Sequence, residues 1–249
     1  SKKIASGLSS LVLDVKVGNG SFNSTIDIAR DLSNSLVRVA KGAGLHCEAI
    51  LTDMNQVLGK SAGHTLEILE CIKYIKNDFK DHRLEKITNE LISSLLVNIY
   101  KISKEEAYNK INTVINNGLA AEKFEMMVAA LGGPRNILSS FEKDLINTSV
   151  RKDVFCNKEG WIEKIHTREL GLILIELGGG RKQVTDKIDY GVGYDNVLNV
   201  GDEINSSVPL LSLYSNKNTD DALIDKIKGC FIISDKKIQK LPEIFETIN

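Results

Sequence analysis

A β-type run that stops on glycine, passes into an amphipathic helix and is followed by a second β-type run constrains this chain most. Residues 11–17 read LVLDVKV and end at Gly18-Asn19-Gly20, the signature of a strand entering a tight turn. Ser24 and Asp27 then form a capping-box pattern. Ile26, Ala29, Ser33, Leu36, Val37 and Ala40 follow at helical spacing, and Gly42 and Gly44 close the helix. Residues 47–51 form a second apolar run that ends at Thr52-Asp53. Strand, helix and strand in this order predict a right-handed parallel crossover.

The pattern changes twice downstream. Between residues 63 and 141 the chain reads as helices, predicted over 64–75, 84–100, 103–117 and 120–131. Ser103 with Glu106 makes a capping box for the third, Asn117-Gly118 stops it, and Gly132-Gly133-Pro134 ends the fourth. Beyond residue 146, short apolar runs recur between glycines at 154–156, 161–165, 188–192, 197–204 and 210–214. That spacing predicts a compact antiparallel β unit. Helices are expected over 167–177 and 219–228, with a last strand over 231–234. The fold class expected is therefore α/β: a large α/β domain with a parallel or mixed sheet and helices, followed by a smaller β-rich C-terminal subdomain.

Bulk properties exclude several classes of function. Net charge is −1, so nothing draws the chain generally toward nucleic acid or an anionic membrane. The four cysteines, Cys47, Cys71, Cys156 and Cys230, form no CxxC pair. They read as free thiols, which suits a reducing, cytoplasmic location. The longest apolar runs fall far short of the ~20 residues that cross a bilayer. The histidines show no HxxxH or HxH spacing, so no metal site is expected.

Three segments are candidates for chemistry. Asp14-Val-Lys16-Val-Gly18-Asn-Gly20 is either an anion-binding turn at a strand's carboxyl end or simply a tight strand-to-helix turn. Asp14 and Lys16 share one strand face and need partners there, either each other or a ligand. Thr52-Asp53-Met54-Asn55-Gln56 clusters polar groups where open α/β sheets bind ligands, or else caps its own loop. Gly178-Gly179-Gly180-Arg181-Lys182 reads as an anion nest or as a helix stop followed by solvated surface.

Four stretches together resemble one family: SKKIASGLSSLVLDVKVGNGSF at the start, ILTDMNQVLGKSAGHTLEILE from Ile50, NNGLAAEKFEMMVAALGGP from Asn116 and LGGGRKQVTDKIDYGVGY from Leu177. These are similar to the thymidine and pyrimidine-nucleoside phosphorylases, C-terminal portion, nearly end to end. The last stretch is closer to the thymidine-specific branch. The resemblance implies residues 1–6 as the tail of a helical domain, 7–145 as an α/β core with a helical segment, and 146–249 as the β-rich C-terminal subdomain. It implies reversible phosphorolysis of thymidine to thymine and 2-deoxyribose 1-phosphate in cytoplasmic pyrimidine salvage. Inorganic phosphate is the co-substrate, no organic cofactor is used, and the full-length protein is a homodimer. Lys2 matches the lysine that hydrogen-bonds the pyrimidine. The family's serine, arginine and phosphate-binding glycine loop lie upstream, so the chain is expected to be a fragment and inactive by itself. The rival readings are a broad-specificity enzyme that also takes uridine, and a swinging-arm binding module carrying a modified Lys187.

Overall fold

A computed structural model describes residues 2–145, 150–217 and 219–249. The chain begins with a four-residue helix, α1 (Lys2–Ala5), and then β1 (Ser10–Val17), α2 (Ile26–Gly42) and β2 (His46–Asp53) form the expected crossover. β1 and β2 are parallel, with Val15 beside Leu51 and Val17 beside Asp53. Odd-numbered residues of both strands pack under α2: Val15, Val17, Cys47, Ala49 and Leu51 meet Ala29, Val37 and Ala40. The helix is capped one residue later than the sequence suggested. Thr25, extended at φ −127°, accepts from the Ile28 amide, and Asp27 pairs with Arg30 instead. The hydroxyl nearest the first helical turn wins the cap, because its oxygen must reach the N2 or N3 amide.

Helices follow without interruption: α3 (His64–Ile75), α4 (His82–Tyr100), α5 (Lys104–Asn116), α6 (Leu119–Ala130) and α7 (Ile137–Leu145). Ser103 and Glu106 close the capping box of α5 in both directions. α4 lies on the sheet face opposite α2, where its Asn98 donates to Glu48 on the even-numbered face of β2. Its first turn carries Arg83, whose guanidinium meets the Asp53 carboxylate at 3.1 Å, both side chains being buried.

The expected boundary at 145/146 falls at residues 146–149, outside the described residues. Beyond it come β3 (Val150–Phe155), β4 (Gly160–Ile165), α8 (Thr167–Leu177), β5 (Gly193–Asp195), β6 (Glu203–Ile204), β7 (Pro209–Ser215), α9 (Asp221–Gly229), β8 (Phe231–Ser234) and β9 (Ile244–Ile248). Two antiparallel sheets, ordered β3-β7-β5 and β6-β4-β8, enclose the largest core of the molecule.

The α/β class stands, but the sheets are smaller than the large parallel or mixed one expected. Among the described residues there are three three-stranded sheets, and β1 with β2 is the one parallel pair. β9 completes the first sheet, antiparallel to β2 with Ala49 beside Ile248. The apolar residues at 188–192 do not form a strand. Asp189 turns the backbone there by accepting from the Gly191 amide, and its own amide bonds the Gly178 carbonyl.

Arg83→Ala would leave the Asp53 carboxylate buried without its cation. The expected cost is about 3 kcal/mol, at the low end for a broken buried pair because three amide donors on Asp53 remain. Urea unfolding checks this, with the midpoint falling at unchanged m-value.

Candidate functional site at the carboxyl ends of β1 and β2

Because β1 and β2 are parallel and in register, their carboxyl ends emerge together, and the two polar motifs that follow them meet. The Met54 amide donates to the Val17 carbonyl at 2.6 Å, and the Gly20 amide donates to the Met54 carbonyl at 2.9 Å. The loops touch so closely that a Cβ on Gly18, which also sits at φ +131°, would lie 2.7 Å from the Asn55 backbone nitrogen. Only glycine fits there.

This geometry decides between the two readings of the glycine turn. The Gly18 amide bonds the Asn23 carbonyl, the Asn19 amide the Asn55 side chain, the Gly20 amide Met54 and the Ser21 amide Gly18. All four amides are engaged within the chain, so the turn serves packing rather than anion binding.

The junction reaches a third element. Asn19 donates through Nδ2 to the Ile165 carbonyl at 3.0 Å and accepts at Oδ1 from the Thr167 amide at 2.8 Å. It thereby caps the first turn of α8 from 148 residues away, satisfying an amide that has no partner within the helix. The Thr167 hydroxyl donates to the Asn55 carbonyl at 2.8 Å. On the other motif, Asp53 accepts from the Asn55 amide, Asn55 Nδ2 and Gln56 Nε2, while Gln56 Oε1 accepts from the Val200 amide.

Two groups on this rim remain open to solvent. Lys16 lies 2.6 Å from Asp14 and donates to the Thr52 hydroxyl at 3.0 Å; that hydroxyl in turn donates to Asp14. The polar strand face is thus satisfied internally, with the Asp14 and Lys16 side chains still about a quarter accessible. Phe22 is 94% exposed, on a turn braced by Ser21 and Asn23 bonds to the Lys16 carbonyl. Its ring has the Arg168 guanidinium 5.9 Å from the centroid. A solvent-facing aromatic ring offers a flat surface for stacking against another planar group. The sequence marks Phe22 only by its place two residues past the strand-end glycine turn.

The remaining candidates lie elsewhere. Lys2 is exposed on the amino side of β1, and its ammonium bonds no other described side chain; its backbone carbonyl takes the Ser6 amide and hydroxyl. Gly178, at φ +106°, ends α8, and the amides of Lys182 and Gln183 bond Asp186, so this segment is a helix stop with exposed cations. Lys187 is exposed in the loop between α8 and β5, not at a hairpin tip. All four cysteines are free, no cluster of three or more His, Cys, Asp or Glu among the described residues could hold a metal, and no described helix is long and apolar enough to cross a membrane.

A small polar cavity of about 150 Å³ adjoins the junction between Gln56, Lys60, Arg83, Asn199, Asp202 and Lys240. It has room for a few waters. Burial pushes the Asp202 carboxyl up, but the Asn199 amide and the Lys60 and Lys240 ammoniums together hold it below the ordinary carboxylate range.

Residues 161–234 match the family model described as the pyrimidine nucleoside phosphorylase C-terminal domain. The chain is 40% identical over 248 residues to a protein named thymidine phosphorylase from Colwellia psychrerythraea, which covers 98% of this chain and 56% of that protein. The chain therefore spans about half the length of this relative.

Asn19→Ala removes the cap on α8 and leaves the Ile165 carbonyl with only the longer 3.4 Å bond from the Thr167 hydroxyl, so a loss of about 2 kcal/mol is expected. Hydrogen exchange would show it as faster exchange of the Thr167 amide. A carboxyl depressed by folding contributes stability that is present above its unfolded pKa and lost as pH falls through its folded one. Stability is accordingly expected to drop below about pH 4, and urea midpoints measured against pH should fall less steeply there for Asp202→Asn.

Proposed function

We propose that the chain belongs with the thymidine and pyrimidine-nucleoside phosphorylases and forms the C-terminal part of a thymidine phosphorylase. The observation that carries this reading is 40% identity maintained across 98% of the chain, in a relative of that name. The pyrimidine nucleoside phosphorylase C-terminal match over 161–234 supports the family part of this reading.

In the reaction proposed, a phosphate oxygen attacks C1′ of thymidine. A C1′–O bond forms as the C1′–N1 bond breaks, the bonding pair passes to the pyrimidine, and the base takes up the proton that hydrogen phosphate gives up. The products are 2-deoxyribose 1-phosphate and thymine. The barrier falls when donors or cations are fixed where the base gains charge. Lys2 is the residue proposed for this, and its ammonium is free to make the contact because no other described side chain engages it. Phosphate serves as co-substrate without an organic cofactor. Its holding residues, with the family's base-binding arginine and serine, are proposed to come from the part of the protein that this chain does not span. A cytoplasmic homodimer acting in pyrimidine salvage completes the proposal.

The broad-specificity alternative differs only in the handling of the sugar 2′ position and the base 5-methyl. The swinging-arm alternative is disfavoured, because Lys187 lacks the flanking strands that would hold it at a hairpin tip.

In the full-length enzyme, Lys2→Met is expected to lower kcat for thymidine about 100-fold, the scale of losing one transition-state donor. An unchanged kcat would remove Lys2 from the mechanism. Steady-state rates on thymidine and uridine distinguish the two enzyme readings, since equal turnover would favour broad specificity. The 249-residue chain alone is expected to release no thymine.

A further inference from the structure

Two asparagines in this chain precede glycine, in Asn19-Gly20 and Asn117-Gly118. An asparagine in that position carries an intramolecular reaction of its own. The next residue's amide nitrogen can attack the side-chain carbonyl carbon, and glycine, lacking a Cβ, does not shield that nitrogen. Folding decides whether the two groups can meet, and the two pairs stand in opposite surroundings.

Asn19 is held on every side. Its Nδ2 donates to the Asn55 and Ile165 carbonyls, and its Oδ1 accepts from the Thr167 amide at 2.8 Å. The Gly20 nitrogen is committed to the Met54 carbonyl at 2.9 Å. A Cβ on Gly20 would meet that carbonyl oxygen at 2.8 Å and the Thr167 methyl at 2.9 Å, so the backbone has no room to swing toward the Asn19 side chain.

Asn117 lies exposed in the turn between α5 and α6. Its side chain accepts from the Leu119 amide at 3.1 Å, and its Nδ2 bonds no other described residue. The Gly118 nitrogen reaches the Ile115 carbonyl at a long 3.3 Å, and a Cβ on Gly118 would meet no atom within 4 Å. The leaving amide is untied, the attacking nitrogen is weakly held, and space for ring closure is open.

We infer that Asn117 is a site of spontaneous covalent modification, deamidation through a cyclic imide, and that the fold shields Asn19 from the same reaction. The Gly118 nitrogen bonds to Cγ of Asn117 and gives up its proton. The Cγ–Nδ2 bond breaks, and the side-chain nitrogen leaves with that proton as ammonia. Water then opens the imide at either carbonyl. One opening gives an aspartyl residue; the other gives an isoaspartyl residue, whose main chain runs through the former side chain. Water is the co-reactant, and nothing is oxidised or reduced. The aspartyl product still accepts from the Leu119 amide and places a negative charge at the first turn of α6, where it is favourable. The isoaspartyl product adds a methylene to the main chain at the joint where Ile115 of α5 and Ala120 of α6 pack into one apolar cluster. The inference does not depend on the proposed activity.

The test incubates the folded 249-residue chain in mildly alkaline buffer, digests it with trypsin and follows peptides 17–30 and 111–123 by mass spectrometry. The mass gain of amide-to-acid conversion, placed by fragment ions, is expected at Asn117 at least about tenfold faster than at Asn19, because several more hydrogen bonds must open at Asn19 before its ring can close. Part of the product should resist Asp-N protease, which cleaves before aspartyl but not before isoaspartyl residues. In urea the two sites should react at similar rates. Asn117→Gln should abolish conversion in 111–123. Equal rates in the folded chain, or faster conversion at Asn19, would overturn the inference. Conversion in 111–123 that persists in Asn117→Gln would do the same, and a difference between the sites that survives in urea would remove the shielding by the fold.

Discussion

The buried carboxylate of Asp53 is the point on which the rest of the structure turns. It sits at the last position of β2, 1% exposed, and a charge there survives only with full hydrogen bonding. Arg83 supplies the counter-charge from α4, while Asn55 and Gln56 supply donors from the loop. Each partner has a second attachment. Gln56 holds the Val200 amide, Asn55 holds Asn19 and receives Thr167, and Arg83 begins the helix that lies across the sheet. One ionised group therefore fixes where the parallel pair, the helical segment and the β-rich part stand relative to one another.

That arrangement changes what the polar motifs are for. In an open α/β sheet, carboxyl-end loops usually receive ligand. Here their amides bond one another, and the glycines serve close contact between backbones. What faces solvent is the side-chain rim of Lys16, Asp14 and Phe22, while Lys2 stands apart on the amino side of β1. A surface with so few converging groups suits one wall of a cleft better than a complete pocket.

Local periodicity carried much of the fold into view. The strand at 11–17, the helix at 167–177 and the strand at 231–234 follow from apolar spacing and glycine stops, and Ser103 with Glu106 from a four-residue rule. β9 escaped because its five residues, IFETI, have too short an alternation to stand out, and its pairing with β2 is visible only in three dimensions. The same limit hid the Asn19 cap on α8. Nothing near Asn19 announces a helix that starts 148 residues later. The carboxyl-end motifs were legible as polar clusters, but whether their donors would be spent internally depended on how closely two loops approach.

The return of β9 to β2 has a consequence for how the polypeptide emerges from the ribosome. Ala49 leaves the exit tunnel about two hundred residues before its neighbour Ile248. During that interval the β2 edge that β9 later covers is open to other nascent chains. Closure of this loop is among the most distant in the molecule and pays its entropy late, so it favours slow maturation and assistance from holdase chaperones. Removing residues 244–248 would strip the third strand from this sheet and leave the β2 edge bare.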